Sequence, residues 1–329
     1  MARAAAAPDT VGTMTEITDA IAALVGGTPL VELAQVAPEY GVRFFAKLEG
    51  QNPTGSVKDR IVLRMLQRAR ELGALAPGQA IVEASTGNTG LAVAMLGRRL
   101  GHPVEICVPE SVYPEIGRLL RAHHATVRWV PRQAGIKSAL EVAARVAREE
   151  GAFFLDQFGN EENVRTHYET TAHEILEALP RVDAFVAGIG TGGTITGVGR
   201  RLKEANPHCR VVGVEPRLGV HLQGLTSLEE GFIPPLLDES LLDGKLLVGN
   251  RHAVSHARRV LGSEGLFVGI SSGAVMHAAM RVASRLGSGN VVLIFADGGA
   301  KYLSTEIWEA ADPEAAYDPE DPIDDVLWW

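Results

Sequence analysis

Short β-rich apolar segments alternate with longer amphipathic segments along most of the chain. In the longer segments apolar residues recur at three- and four-residue spacing, which predicts helices with one buried face. This alternation is typical of an α/β protein whose strands are mainly parallel. The predicted strands are 43–48, 80–83, 104–108, 126–130, 152–155, 184–187, 211–214, 266–268 and 291–295.

The length of the chain, 329 residues, predicts two compact domains. A single core usually stops growing at roughly 250 to 300 residues. The polar stretch 156–167 separates two strand–helix series, and we place the domain boundary near it. The predicted organisation is a disordered N-terminal extension (1–15), an N-terminal segment packing on the larger domain (16–38), a smaller mobile domain (39–160), a larger domain (161–311) and an acidic C-terminal arm (312–329).

The net charge of the chain resides at its C-terminus. With 31 Lys and Arg against 40 Asp and Glu, the formal net charge is −9. Nine of these acids and no base fall in residues 306–329, so the remainder of the chain is balanced. A balanced body without a basic stripe argues against binding to nucleic acid or to an anionic membrane surface.

Cysteine usage and hydropathy favour a cytoplasmic protein. No apolar run approaches the roughly 18 to 20 residues that cross a bilayer. Residues 1–8 lack the continuous apolar stretch of a secretory signal. Cys107 and Cys209 lie in or beside strand-like segments, and two lone thiols provide no disulfide framework.

A glycine-rich loop follows the predicted strand 184–187 and precedes a predicted helix; it reads Gly188-Ile189-Gly190-Thr191-Gly192-Gly193-Thr194. Glycines let the backbone approach an anion, and the N–H groups that open a helix attract negative charge, so the loop predicts a phosphate site. Its glycines also match the dinucleotide-binding fingerprint, with Glu215 at a strand end 22 residues after Gly193. A tight structural turn is the third interpretation.

Two further loops have the same strand–loop–helix pattern. Residues 85–90, Ser-Thr-Gly-Asn-Thr-Gly, place hydroxyls and amides at a helix start, which suits either a bound carboxylate or simple helix capping. Residues 269–273, Gly-Ile-Ser-Ser-Gly, match the nucleophile elbow of α/β hydrolases. That mechanism needs an acid and then a histidine after Ser271, but His277 is the only later histidine and no acid lies between them. Ser271 is therefore predicted to open a helix or to donate to a bound ring.

Lys58 stands apart from the other five lysines because it lies inside a loop-to-helix motif, residues 52–60. Ser56 and Asp59 have capping-box spacing. In the first turn of a helix, the positive end of the dipole lowers the pKa of a lysine and favours the neutral amine that a Schiff base requires. The alternative is a solvated surface lysine.

The histidines predict no metal site. His252 and His256 are four residues apart on a predicted helix, but no third ligand follows at a readable spacing. We therefore interpret them as part of a surface helix face.

Taken together, these motifs resemble those of the fold-type II pyridoxal-phosphate enzymes, and of the cysteine synthase family in particular. Residues 52–60 resemble the motif of the cofactor lysine, 85–90 the substrate-carboxylate loop, and 190–194 the phosphate cup. Ser271 resembles the residue that faces the pyridine nitrogen. Residues 27–31 and 301–305 also look like cysteine synthases, and the resemblance spans about residues 16–329 in the same order.

The resemblance implies an α/β fold of two open, twisted, mostly parallel domains with the active site in the cleft between them, assembled as a homodimer. It implies a pyridoxal 5'-phosphate-dependent cysteine synthase that performs β-replacement on an O-activated L-serine through an α-aminoacrylate. Lys58 would hold the cofactor and act as general base. The implied cofactor-binding residues are Lys58, Asn88, Gly190, Thr191, Gly192, Gly193, Thr194 and Ser271, and the implied substrate-binding residues are Ser85, Thr86, Gly87, Thr89 and Gln157.

Three segments resemble the actinobacterial branch that takes sulfur from a thiocarboxylated carrier protein: residues 215–217, residues 228–234 and the terminal Leu327-Trp328. In that branch the tail enters the active site, so we expect the apolar end of the arm in the cleft. Relatives that use O-phosphoserine have an arginine where this chain has Thr226. O-acetylserine, or another β-substituted alanine, therefore stays open as the donor, and sulfide or the carrier as the sulfur source.

Other functions remain as alternatives. The same fold supports cystathionine β-synthase-like and diaminopropionate synthase-like chemistry. The glycine fingerprint allows a nicotinamide-dependent oxidoreductase, and a binding or regulatory protein could keep the fold without turnover.

Overall fold

The computed structural model describes residues 20–37, 41–131, 135–305 and 308 and the backbone of residues 325–327. Its strands are β1 (Leu30–Glu32), β2 (Val42–Leu48), β3 (Ile81–Ala84), β4 (Val104–Pro109), β5 (Thr126–Val130), β6 (Phe153–Phe154), β7 (Ala184–Gly188), β8 (Arg210–Pro216), β9 (Gly244–Val248), β10 (Gly289–Phe295) and β11 (Asp325–Leu327). Its helices are α1 (Lys58–Glu71), α2 (Asn88–Arg99), α3 (Pro114–Ala122), α4 (Gly135–Glu150), α5 (Glu162–Thr166), α6 (Ala172–Ala178), α7 (Gly193–Ala205), α8 (Asn250–Glu264) and α9 (Ile270–Leu286), and a π-helical turn (His167–Thr171) joins α5 to α6. None of the helices described here is long and apolar enough to span a membrane.

The larger domain is built on a seven-stranded sheet in the order β1-β2-β10-β7-β8-β9-β11. Its inner strands are parallel, and the two edge strands β1 and β11 are antiparallel to their neighbours. Successive residues of β7 pack into different cores: Phe185 with α6 and α7, and Val186 with α8 and α9. Helices therefore cover both faces, which explains why these strands read as continuous apolar runs.

The smaller domain has a four-stranded parallel sheet in the order β5-β4-β3-β6. Ile81 of β3 packs with α1, α2 and α3 on one face, while the adjacent Val82 packs with α4 on the other. The α/β class and the arrangement of two mostly parallel domains predicted from sequence are confirmed.

Two details of the predicted layout are wrong. Strand β2 was assigned to the smaller domain with residues 39–160, but it pairs in parallel with β10 along seven residues and lies in the larger sheet. Residues 266–268 were predicted as a strand, but Val268 forms only an isolated bridge to Gly298. Both outcomes depend on pairing with distant segments, which local apolar patterning does not encode.

The described part of the C-terminal arm forms the edge strand β11. Asp325 lies opposite Leu246 and Leu327 opposite Gly244, so β11 runs toward the beginning of β9 and away from the carboxyl ends of the parallel strands. The expectation that the apolar end enters the cleft is therefore not met at residues 325–327, because they pair with the otherwise open backbone of β9. Residues 1–15, 312–324 and 328–329 lie outside the described residues.

Candidate active site

A cavity of about 340 Å³ lies where the smaller and larger domains meet. The loops that follow the carboxyl ends of β3 and β7 line it, as ligand sites do in open α/β sheets. Lys58, the first residue of α1, lines it as well. The structure thereby brings together eight of the residues predicted from sequence: Lys58, Ser85, Thr86, Asn88, Thr89, Gln157, Gly190 and Thr191.

A smaller cavity of about 40 Å³ adjoins the first and shares Lys58 and Asn88 with it. Gly192, Thr194 and Ser271 line this second cavity. Of the predicted residues, Gly87 and Gly193 line neither cavity. They shape the loops instead: the Gly87 N–H donates to Ser85 Oγ at 3.0 Å, and the Gly193 N–H donates to Thr191 Oγ1 at 3.3 Å.

Lys58 is half-buried, and its amine is more acidic than a surface lysine. Burial disfavours the ammonium form and lowers the pKa from 10.5 to about 8, although the negative charge of Asp297 opposes this effect. The direction agrees with the sequence prediction, but the main cause is desolvation and not the helix dipole. A pKa near 8 leaves a usable neutral fraction of the amine close to neutral pH.

The predicted capping box before α1 does not form. The Asp59 carboxylate accepts from the backbone N–H of Thr54 at 2.6 Å, while Ser56 Oγ accepts from the Lys58 N–H at 3.3 Å. The loop folds back so that Thr54, rather than Ser56, presents its N–H to the acid. Burial raises the pKa of Asp59 to about 6.

The phosphate loop is held in tight contact with the backbone around it. A Cβ on Gly190 would lie 2.6 Å from the Gly224 carbonyl oxygen, and one on Gly192 would lie 2.6 Å from the Leu237 nitrogen. Gly192 also has a φ of 84°, which favours glycine. The Gly193 N–H donates to Thr191 Oγ1, but the N-cap residue Gly192 has no side chain to cap α7, so the next N–H groups of the helix remain for an anion.

The threonines of this loop are fixed by residues from the stretch 156–167, which the sequence analysis treated only as a separator. Asn163 Nδ2 donates to Thr191 Oγ1 at 3.0 Å. His167 Nε2 lies 3.2 Å from Thr194 Oγ1, and burial holds the pKa of His167 well below its usual range. This polar run ends 21 residues before Gly188, so the sequence carried no local signal of this role.

The predicted carboxylate loop and Gln157 form one hydrogen-bonded unit. The Thr89 hydroxyl donates to Gln157 Oε1 at 2.6 Å, and Gln157 Nε2 donates to the Ala84 carbonyl at 2.9 Å. Ser85 Oγ accepts from the Gly90 N–H at 2.9 Å, so Ser85 also stabilises the start of α2. Gln223, which sequence reasoning missed, donates from the larger domain to the Thr86 carbonyl at 2.9 Å.

Glu215 does not fit the nicotinamide interpretation. Its side chain is fully buried, it accepts from the Leu228 N–H at 2.6 Å, and it lies 2.8 Å from Lys245 Nζ. A carboxylate occupied in this way is not available to a ribose hydroxyl. Its role here is to hold the turn at residues 228–230.

The histidines pack against one another instead of forming a surface face. His252 is buried and stacks on His277 at a centroid distance of 4.3 Å, and His256 meets the same ring edge to face at 4.7 Å. Burial lowers the pKa of His256 to about 4 and that of His277 to about 2. The surface interpretation of the first two histidines is therefore wrong. Within the part of the chain that the structure covers, no group of three or more His, Cys, Asp or Glu could hold a metal ion.

The site residues fit pyridoxal phosphate. A half-buried amine with a lowered pKa, a helix start with a glycine cradle, and a hydroxyl at the start of α9 surround two adjoining cavities. The amine can react with the aldehyde of the cofactor, the helix start can bind its phosphate, and the hydroxyl can donate to its ring nitrogen. The fold and the site thus define a class, the pyridoxal-phosphate enzymes built from two α/β domains.

Comparison with known proteins places the chain in a family. The sequence model described as "Pyridoxal-phosphate dependent enzyme" matches residues 21–297, and the chain belongs to this family and is a pyridoxal-phosphate-dependent enzyme. It is 39% identical over 304 residues to a cysteine synthase of Staphylococcus aureus, covering 89% of this chain and 98% of that protein.

Solved structures agree with this assignment. O-ureido-L-serine synthase superposes with a TM-score of 0.84 at 36% identity, over 89% of this chain and 95% of that one. A hydrogen sulfide-producing enzyme from Fusobacterium nucleatum gives 0.82 at 34% identity, over 86% and 98%. The cysteine synthase of Entamoeba histolytica gives 0.80 at 30% identity, over 96% and 98%.

Proposed function

We propose that this protein catalyses β-replacement on an O-activated L-serine and, with a sulfur nucleophile, forms cysteine. The observation that carries the proposal is the shared cavity, which joins the Lys58 amine to the carboxylate loop and to the phosphate loop. Relatives named cysteine synthase and O-ureido-L-serine synthase support chemistry on serine derivatives.

Each group in the cavity has a distinct role in this proposal. Bound pyridoxal phosphate supplies an electron sink for the α-carbon of the substrate. Lys58 would hold the cofactor, and its amine, when free, would move the α-proton, because an amine with a pKa of about 8 both accepts and donates a proton near neutral pH. Ser271 would donate to the ring nitrogen, Asn88 would bind the ring oxygen, and residues 190–194 would hold the phosphate.

The substrate carboxylate binds at the carboxylate loop. Ser85 and Thr86 supply hydroxyl and backbone donors, while Thr89 donates its hydroxyl to Gln157 and so fixes the side chain that completes the clamp after β6. Because Gln223 bonds to Thr86 from the larger domain, carboxylate binding at this loop is coupled to the position of the smaller domain. Closure of that domain would exclude water from the reacting carbon.

The charges around the cavity favour a substrate whose O-substituent is an uncharged ester over one that carries a phosphate. Lys58 and His221 are the cationic or protonatable bases among its lining residues in the described part of the chain, and no arginine is among them. Glu230 adds a negative charge at the rim, and Thr226 is neutral. Phosphate esters are usually bound through arginine or lysine, so we propose O-acetylserine rather than O-phosphoserine as the donor.

Steady-state kinetics with sulfide test this donor assignment. We expect a higher kcat/KM with O-acetylserine, and we expect Thr226→Arg to raise kcat/KM for O-phosphoserine by about tenfold, the effect of one charge-assisted contact. Thr226→Val is the matched control, because it fills the position without a charge. A wild-type enzyme that prefers O-phosphoserine contradicts the assignment.

Two sulfur sources are compatible with the proposed reaction. We propose a small thiocarboxylated carrier protein alongside free sulfide. The turn at residues 228–230 supports a docking role, since Glu215 holds it and Glu230 lines the cavity mouth. Rates measured with each nucleophile under the same conditions decide the point. If sulfide reacts as fast as the thiocarboxylated carrier, the carrier assignment fails.

We also propose a homodimer in the cytoplasm. Cys107 and Cys209 are both free and form no disulfide, which is typical of proteins from a reducing compartment. Light scattering on the purified protein measures the assembly, and a mass equal to one chain contradicts the dimer.

A further inference from the structure

Asn88 belongs to a polar cluster at the edge of the cofactor site whose other members have no role in the function proposed so far. Lys301 Nζ donates to Asn88 Oδ1 at 2.6 Å and to the Gly55 carbonyl at 3.2 Å. Asn88 Nδ2 donates to Asp297 Oδ2 at 2.8 Å, and the Tyr302 hydroxyl donates to the same oxygen at 2.6 Å. Asp297 and Tyr302 are almost completely buried.

The chemistry of these partners fixes the orientation of the Asn88 amide. An ammonium group only donates hydrogen bonds, so Lys301 must face the amide oxygen. A carboxylate only accepts them, so Asp297 must face the amide nitrogen. An asparagine between two neutral hydroxyls could take either orientation, but with these two neighbours a flipped amide would face both partners with the wrong group.

This orientation determines what Asn88 can offer to a ligand. Asn88 lines both cavities together with Lys58. Since Lys301 occupies its oxygen and Asp297 one of its two N–H groups, the amide has its second N–H left to offer, which suits an anionic oxygen and not a hydroxyl donor. The positive charge of Lys301 also polarises the amide and strengthens that donor.

The cluster crosses from one domain to the other. Asn88 begins α2 of the smaller domain, whereas Asp297, Lys301 and Tyr302 follow β10 of the larger one. Ser56, two residues before Lys58, forms an isolated bridge with Asp297. The start of α2 is thereby tied to the loop that carries the reactive lysine.

We propose that Lys301 and Asp297 are positioning residues that fix the Asn88 amide with its N–H toward the oxygen of the cofactor ring. Neither residue needs to touch the cofactor. The inference rests on the cofactor role proposed for Asn88, and it assigns a function to the segment 301–305, which the sequence analysis recognised only by resemblance.

A double-mutant cycle on the holoenzyme tests this inference. Lys301→Met removes the donor, Lys301→Arg keeps one, and each is made in the wild-type and Asn88→Ala backgrounds. The matched control is Lys203→Met, because Lys203 pairs with Asp243 at 2.6 Å and lines neither cavity. Two properties are measured: the dissociation constant of pyridoxal phosphate, and the pH midpoint of its visible absorbance band. Thermal melting of each variant verifies folding.

In the wild-type background, Lys301→Met is expected to weaken cofactor binding by about tenfold, the effect of losing a charge-assisted hydrogen bond, and to raise the pH midpoint of the band. Lys301→Arg and Lys203→Met are expected to remain near wild type. In the Asn88→Ala background, Lys301→Met should have no further effect, because its action passes through Asn88.

Equal effects of Lys301→Met in both backgrounds would overturn the inference, as would an unchanged midpoint in the wild-type background. If Lys301→Met does not fold, the cofactor affinity of Lys301→Arg is the test. This variant keeps a donor at position 301, so a loss of cofactor affinity would also contradict the inference. A wild-type protein without a visible cofactor band would instead contradict the proposed function.

Discussion

Replacing Lys58 by methionine in the cofactor-free enzyme is expected to increase the free energy of unfolding at neutral pH. Lys58 is half-buried beside Ser271 and Asn88 in the smaller cavity, and its amine is protonated in the unfolded chain at this pH. Folding therefore either desolvates an ammonium group or removes its proton. Methionine has a similar length and carries neither cost.

The magnitude follows from the pKa values of Lys58. A shift from 10.5 to about 8 corresponds to about 3.4 kcal/mol at about 1.36 kcal/mol per pH unit. Lys58 retains some solvent contact, so we expect an observed gain of about 1 to 3 kcal/mol. A reactive residue that lowers stability in this way is the usual compromise between stability and activity.

The pH dependence has a defined sign. Below about pH 8 the amine is protonated in both states and wild type bears the full penalty. Between about 8 and 10.5 the folded state has lost the proton that the unfolded state keeps, so wild-type stability rises with pH. The advantage of Lys58→Met is therefore largest at neutral pH and disappears above this range.

Urea unfolding of the cofactor-free protein at several pH values measures this advantage. Lys203→Met is the control, and it should show no gain because Lys203 forms an ion pair with Asp243. A Lys58→Met variant that is no more stable than wild type at neutral pH would refute the reasoning. So would a gain that does not change with pH.

Three further substitutions test other parts of the site. Gly192→Ala should weaken cofactor binding by at least tenfold in an equilibrium titration, because the new Cβ would approach the Leu237 nitrogen to 2.6 Å at a φ of 84°; unchanged affinity would refute the cradle. Thr89→Val should raise KM for the amino-acid donor about tenfold with a smaller change in cofactor affinity, because Gln157 loses a buried donor; an equal loss of both would contradict a substrate role. Arg60→Met should lower the free energy of unfolding by about 3 to 5 kcal/mol in urea, because it leaves the fully buried Glu49 without its charged partner, while Glu174 keeps Lys47; a loss below about 1 kcal/mol, typical of a surface ion pair, would contradict this.

The positions of strands and helices could be predicted from the sequence more reliably than the pairing of strands within a sheet. Strand β5, residues 126–130, was predicted with the bounds that the structure shows, because it alternates and ends at clear turns. Strand β9 was missed although Asp243-Gly244 and Gly249-Asn250 flank it, since its segment is short and begins with Gly244 and Lys245. Its position depends on parallel pairing with β8, which is a tertiary property.

The chemistry of the site could be predicted where it lies in loops after strands. Lys58 and the loops at 85–90 and 190–194 could be recognised because few purely structural turns or helix caps require these residue types in this order. Asp297 and Gln223 could not be assigned, because each acts on a residue of the other domain through one hydrogen bond. The pKa of Lys58 was predicted in direction, but its cause, burial, depends on the packing around it.

The position of the cofactor is the central claim, and it can be measured directly. The protein is loaded with pyridoxal phosphate, reduced with borohydride and digested, and the modified peptide is identified by mass spectrometry. We expect a pyridoxyl group on Lys58 in the wild-type protein and no pyridoxyl peptide in the Lys58→Ala variant. A pyridoxyl group on Lys301 or on another lysine, or no adduct in wild type, would contradict it.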